Sequence, residues 1–390
     1  MKAIRIIMVF CLFVPLCVIA RAELLFLPEN LTEISSNAFA GDESITEVVL
    51  GKDVTAIGEG AFSGCINLKR VVVNNHGSAA VGAAAFPEGV AFYAANDAIA
   101  SFKEQGGYFK GFQALLVGQT YPGDPDGELL GCDKDAETMA DLLGVLKLTE
   151  YKPVTQQVNK SWADAQAELK RLAESASEKS TTLFYYSGHG NSGGKLVFDD
   201  IVEPGELRVL LDDIPGQKIV LIDACNSGGM IGRGEGESAE QFVESFLSAF
   251  TSGISSRSGN AFENDGGEYA VLVACNGTQL SNTLRYTYGD GDYFGLFTGT
   301  LECAAGETGR MAEWYTSFPE TMVKNMYHPE AMPGDKDGDG LLTLAEAYGY
   351  VYNSVDLFCQ TWNDGAEPYE VIEQTVQVWP DNSNFVLFGR

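Results

Sequence analysis

The chain has 390 residues, enough for two or three domains, and its 45% hydrophobic and 20% charged content supports large buried cores and argues against disorder. It carries 54 acidic against 25 basic residues, a net charge of -29. That balance excludes the basic footprint of a nucleic-acid binder and favours cationic partners such as metal ions or basic peptide segments.

Residues 1–22 have the layout of a secretory signal. Lys2 and Arg5 open it, an apolar run follows from Ile6 to Ala20, and Ala20-Arg21-Ala22 has the small-x-small form a signal peptidase accepts. The run is short for a bilayer span and Pro15 interrupts it. The expectation is an exported protein (extracellular, cell-surface or periplasmic) without a membrane span once the signal is removed. Cys11 and Cys17 leave with it, and Cys65, Cys132, Cys225, Cys275, Cys303 and Cys359 remain. Their spacing holds no CxxC pair and no dense framework, so neither a zinc site nor a disulfide scaffold is indicated, and disulfide pairing stays open.

Residues 23–106 form a repeat module. Residues 34–50 read ISSNAFAGDESITEVVL and residues 57–73 read IGEGAFSGCINLKRVVV, matching at Ile34/Ile57, Ala38/Ala61, Phe39/Phe62, Gly41/Gly64 and Val48/Val71. A degraded third copy runs from Val81 through Phe86. A period in the twenties with one short apolar strand per copy is a solenoid pattern, because a single copy cannot bury its own strand. The "AFxGCxxL" form resembles the leucine-rich repeats of bacterial surface proteins. Such a module either binds a protein ligand or acts as a spacer. Cys65 reads as a core residue.

From residue 107 to 390 the pattern alternates strand and helix. Phe112–Gly118 is an apolar strand, and Asp133–Leu146 has helical spacing. Val154–Val158 suits a short strand or a loop. Ser161 is an N-cap candidate for a helix to Ala176, and Thr181–Tyr186 is a β-branched and aromatic strand. Glu206–Leu211 looks helical, and Lys218–Asp223 and Tyr269–Ala274 are continuous apolar strands. Strands too apolar to face water, alternating with helices, imply an α/β fold: a mainly parallel sheet covered on both faces.

Two strand ends carry chemistry. Thr181–Tyr186 runs into Ser187-Gly188-His189-Gly190, and Lys218–Asp223 runs into Ala224-Cys225-Asn226-Ser227-Gly228-Gly229. Ligands of open α/β sheets bind beyond the carboxyl ends of the strands. On neighbouring strands, His189 and Cys225 share one rim, where the imidazole activates the thiol and later protonates a leaving amine. The backbone N–H groups of Gly190 and Cys225 are candidate oxyanion donors. The other histidines, His76 and His328, lack this setting.

"YYSGHG" and "LIDACNSGG" resemble the His and Cys motifs of caspase-like peptidases, nearest in flavour to metacaspases. Residues 113–136 resemble the first strand and loop of those proteins, and residues 271–301 their smaller-subunit half. The resemblance spans about residues 112–389 and implies peptide-bond hydrolysis with no cofactor in the chemical step. It also implies that Asp135 and Asp223 line a specificity pocket selecting Arg or Lys before the cut, by charge-assisted hydrogen bonds. Asn226 departs from the family, which has His there, and the acidic insertion that carries calcium activation in metacaspases is not evident. Legumain-like or caspase-like relatives, which prefer Asn or Asp, give the same dyad another specificity. A surface-binding protein that uses only the repeats is the non-enzymatic alternative.

Residues 335–346, DKDGDGLLTLAE, fill the twelve-residue EF-hand template. Asp335, Asp337 and Asp339 take positions 1, 3 and 5, Leu341 offers its carbonyl at 7, Thr343 stands at 9 and Glu346 at 12. Pro329 and Pro333 break the entering helix, so the expectation is a structural Ca2+ clip on a helix Leu344–Val355. The stretch Gly228–Gly267 is rich in Gly and Ser, with Arg233 and Arg257 as candidate self-cleavage sites and an amphipathic segment Ala239–Phe250.

Overall fold

A computed structural model describes residues 23–74, 79–95, 98, 101–102, 107–124, 128–231, 268–285, 293–307, 332–364, 370–380 and 383–390. The repeats build a parallel sheet of five strands: β1 (Glu23–Phe26), β2 (Ile45–Leu50), β3 (Arg70–Val73), β4 (Ala91–Ala94) and β5 (Tyr108–Phe109). The sequence offset becomes the register, since Val48 pairs with Val71 and Val71 with Phe92. It also becomes a ladder of rings: Phe39 stacks on Phe62 at 5.0 Å and Phe62 on Phe86 at 5.2 Å. Cys65 lies in this core, fully buried as expected.

A six-stranded sheet follows, from β6 (Gly111–Gly118), β7 (Tyr151–Val158), β8 (Ser180–Ser187), β9 (Gln217–Asp223), β10 (Tyr269–Val273) and β11 (Gln377–Trp379), in the order β7-β6-β8-β9-β10-β11. All neighbours are parallel except β11, which runs antiparallel beside β10. The helices are α1 (Cys132–Val145), α2 (Trp162–Ser175), α3 (Pro204–Asp212), α4 (Leu296–Ala304) and α5 (Leu344–Asn363). Ser161 caps α2 in a capping box with Asp164. β7 is a full edge strand, and its incomplete burial explains its weak apolar pattern. α5 runs past the expected end at Val355 to Asn363.

Strand alternation divides the core. Ala114, Leu116, Leu183, Tyr185, Ile219 and Leu221 face α1, α4 and α5, while Leu115, Val117, Phe184, Tyr186, Val220 and Ile222 face α2 and α3. The two modules share a core. Val48, Leu50, Val71 and Val73 point into the solenoid, whereas Val49, Val72 and Tyr93 join the cluster that contains Phe112, Leu148 and Tyr151. The outward face of the repeat sheet thus packs against the α/β domain at Val49, Val72 and Tyr93.

A polar junction borders this contact. Arg70 of β3 pairs with Glu47 of β2, approaches Asp339 at 4.0 Å and donates to the Asn384 carbonyl at 3.3 Å. Glu47 and Asp339 are both buried. Among the described residues all six cysteines are free thiols, and no helix is long and apolar enough to cross a membrane.

Candidate active site

The parallel register of β8 and β9 places the two motif loops side by side. Ser187 pairs with Asp223, so His189 and Cys225 each lie two residues beyond a paired position on adjacent strands. The ladder extends one step, with the Gly188 N–H donating to the Asp223 carbonyl at 3.2 Å. At Gly190 a Cβ would sit 2.0 Å from the Cys225 carbonyl oxygen, so only glycine lets the two loops touch. His189, Gly190 and Cys225 are all half-buried at this rim.

Burial lowers the His189 imidazole below its ordinary range, opposed by the charge of Asp124. Burial raises the Cys225 thiol, opposed by backbone hydrogen bonding at Ser281. The pair is therefore poised as neutral thiol and neutral imidazole. Asn226 is held in the left-handed region, φ 57°, with its N–H donating to Gln279 O at 2.9 Å and its side chain to Gly277 O at 3.1 Å. Those bonds tie the Cys225 loop to the loop after β10. There Cys275, in a second Ala-Cys-Asn run, is buried with its Sγ 3.4 Å from Ala224 O.

Asp135 on α1 and Asp223 at the end of β9 converge on the start of α4. Asp135 accepts from the Ser187 hydroxyl at 2.8 Å and from the Gly295 N–H at 3.1 Å. Asp223 accepts from the Thr298 N–H at 3.0 Å and hydroxyl at 2.7 Å, and from Ser281 Oγ. A Cβ on Gly295 would come 2.0 Å from one Asp223 oxygen and 3.2 Å from one of Asp135. Both carboxylates are buried, Asp135 to 1% and Asp223 to 5% exposure, and the amino end of α4 favours their charge. Burial still pushes the Asp223 carboxyl above its ordinary range, against the hydrogen bonds from Ser281 and Thr298.

Of the six expected calcium ligands, Asp335, Asp337 and Glu346 bring carboxylate oxygens within 4.8 Å of one another. Asp337 Oδ1 is buried with no hydrogen-bond donor, the kind of orphaned anionic oxygen a cation would satisfy. Burial, with the charges of Glu346 and Asp335, raises the Asp337 carboxyl to about 6. Asp335 shapes the loop by accepting from the N–H groups of Gly338 at 2.7 Å and Gly340 at 2.9 Å. Leu341 is buried at the start of the following strand. Two expected ligands stand outside the cluster. Asp339 accepts from the Leu341 N–H at 2.7 Å and faces Arg70, and Thr343 is the N-cap of α5, hydrogen-bonded to Glu346 at 2.7 Å. The donor set that remains, all carboxylate oxygen, suits a hard cation.

Arg233, Arg257 and the segment Ala239–Phe250 lie outside the described residues, as do His76, His328 and residues 1–22. Sequence reasoning passed over Tyr121, Ser281, Gly295 and Thr298, which surround the rim. Each lies in a segment, 113–136 or 271–301, that carries the family resemblance, but none was singled out as a site residue.

The chain matches the caspase domain family profile over residues 112–337 and BspA-type leucine-rich repeats, in six copies, over residues 21–89. No curated protein matches it. Similar solved structures include a Geobacter sulfurreducens protein, at 17% identity and TM-score 0.38, covering 71% of this chain and 97% of that one. Caspase-1 of Spodoptera frugiperda is 14% identical with TM-score 0.43, covering 71% and 88%. The structure described as pro-sf-caspase-1 is 12% identical with TM-score 0.39, covering 71% and 94%.

Proposed function

The chain belongs to the caspase domain family, and we propose that it is a secreted cysteine endopeptidase that uses Cys225 and His189 to cut after Arg or Lys. The observation that carries this reading is the Ser187–Asp223 register, from which His189 and Cys225 each follow by two residues on adjacent strands.

Cys225 Sγ attacks the scissile carbonyl carbon as its proton passes to the His189 imidazole. The backbone N–H groups of Gly190 and Cys225 receive the developing oxyanion. When the C–N bond breaks, the imidazolium returns the proton to the leaving amine. A water molecule, deprotonated by His189, then hydrolyses the thioester and frees Cys225. Burial that raises the thiol and lowers the imidazole favours this proton-transfer route over a preformed thiolate–imidazolium pair. Asp223 ends the nucleophile strand and Asp135 meets it at the start of α4, so a side-chain cation that reaches this point would face two carboxylates.

Asp335, Asp337 and Glu346 would hold a calcium ion, whose charge would offset the three neighbouring carboxylates and support the fold. Secretion rests on residues 1–22. Any protein ligand of the repeats would engage surface other than the part of the sheet that packs on the α/β domain.

The test is a panel of peptides that differ only in the residue before the cut, incubated with the wild-type chain and with Cys225→Ala. Cleavage confined to Arg or Lys peptides and lost in the variant is expected. Cleavage after Asn or Asp would move the specificity to the alternative, and unaltered cleavage by Cys225→Ala would remove the dyad.

A further inference from the structure

Tyr121 lies in the turn after β6, is not among the expected site residues, and is closely joined to the His189 loop. Its ring stacks on the imidazole with centroids 4.6 Å apart and planes 25° from parallel. Its hydroxyl accepts the backbone N–H of His189 at 2.8 Å and donates to Val197 O at 2.8 Å. It also meets the Tyr186 hydroxyl at 3.0 Å, and Tyr186 Oη in turn lies 2.9 Å from the His189 carbonyl. The two phenols thus grip both ends of the His189 peptide unit, while one of them also covers the face of the imidazole.

The backbone bends to allow this. Tyr121 has φ 55°, a left-handed conformation that a bulky side chain seldom adopts and that needs support from its surroundings. Gly188 makes the room, since a Cβ there would come 2.5 Å from Tyr186 Oη and 2.9 Å from Tyr121 Oη. The turn is anchored from behind, with the Thr120 N–H donating to Asn159 Oδ1 at 2.7 Å.

We infer that Tyr121 is a positioning residue for His189: its ring fixes the plane of the imidazole and its hydroxyl fixes the height of the loop over Cys225. The inference rests on the Cys225–His189 reading. A base that must first take a proton from the thiol and then give it to the amine needs one ring orientation for both steps. Without the stacked phenol the imidazole is free to rotate about its side-chain bonds.

Two variants separate ring from hydroxyl. Tyr121→Phe keeps the stack and loses the hydrogen bonds, and Tyr121→Leu loses both. For Tyr121→Leu we expect kcat to fall by roughly 10- to 100-fold with KM little changed, as misplacement of a catalytic group does. For Tyr121→Phe we expect a loss of about 5-fold, the scale of one hydrogen bond. The second readout does not depend on turnover. The ring-current shift of the His189 imidazole protons, assigned by comparison with His189→Ala, should persist in Tyr121→Phe and vanish in Tyr121→Leu. The acid limb of kcat/KM should move upward in Tyr121→Leu as water reaches the imidazole.

Wild-type kcat in Tyr121→Leu, while Cys225→Ala and His189→Ala are inactive, would overturn the positioning role and leave the dyad standing. Full activity in Cys225→Ala would overturn the dyad itself. A His189 ring-current shift unchanged in Tyr121→Leu would refute the stacking on which the inference depends, whatever the kinetics. If Tyr121→Leu does not fold, Tyr121→Phe carries the test, and wild-type kcat in that variant would refute the role of the hydroxyl.

Discussion

In an Arg70→Met variant the guanidinium between the repeat module and the loop of residues 335–346 is gone, while Glu47 and Asp339 stay where they are. The Glu47 side chain is 9% exposed and that of Asp339 is 1%, so water does little to screen either. Glu47 Oε1 already has no hydrogen-bond donor. Breaking one side of such a buried pair typically costs about 3–5 kcal/mol, because an uncompensated charge is left inside. With a urea dependence of about 3 kcal/mol/M, the unfolding midpoint should fall by roughly 1–1.7 M. The double variant Arg70→Met with Glu47→Leu removes the charge together with its partner and should recover most of that loss. Equilibrium urea unfolding of the whole chain, followed by tryptophan fluorescence, measures both. A single-variant cost below about 1 kcal/mol, or a double variant no better than the single one, would refute a charge-compensated junction between the modules.

Other outcomes follow from the same geometry. Gly190→Ala places a methyl carbon 2.0 Å from the Cys225 carbonyl oxygen, a backbone atom that must move, so kcat should fall by about 100-fold or more and the thermal midpoint should drop as well; unaltered turnover and midpoint would deny that the two loops are in contact. The catalytic form has a neutral imidazole, and burial puts the His189 pKa below its ordinary 6.5, so activity should be lost only as pH falls through that lower value; an acid limb of kcat/KM above about 7 would contradict the burial argument. Calcium at about 100 times its Kd should add about 2.7 kcal/mol and raise the thermal midpoint by roughly 3–4 °C over chelator, and Asp337→Asn should abolish the shift. Equal midpoints with calcium and with chelator would remove the ion from the structure.

The parts legible in the sequence are those whose physics is local. The offset between Phe39 and Phe62 is the spacing of a stacked array, so it reappears as a ring ladder. β8 and β9 read as buried strands because both their faces are apolar, a direct consequence of helices lying on each side. Ser161 announced its helix through a capping box that depends on four consecutive residues. β7 gave a weak signal because an edge strand need not be apolar on both faces. Asp339 fits its loop template by position yet turns to Arg70, a residue of the repeats that no local pattern connects to it. Asp135 and Asp223 could be paired only through the family resemblance, since their meeting depends on where α4 begins.

Tyr121 shows most directly what strand order adds. The chain leaves β6 toward β7 on one side and returns as β8 on the other, so the loops after β6 and β8 part at a topological switch point. That parting opens the crevice in which ligands of such sheets bind, and it brings the phenol of one loop against the imidazole of the other. β9 then adds the thiol from the third adjacent strand, with α4 set across the same rim through Asp223. The proposed base His189, the proposed nucleophile Cys225 with Asp223 two residues before it, and Asp135 on α1 thus come from three chain segments but from one edge of one sheet. The repeat module leaves that edge uncovered, because its sheet packs on the cluster of Phe112, Leu148 and Tyr151, and Phe112 and Tyr151 stand at the opposite, amino ends of their strands. A brace placed there supports the sheet without closing the crevice, which is why a solenoid and an active site can share one core.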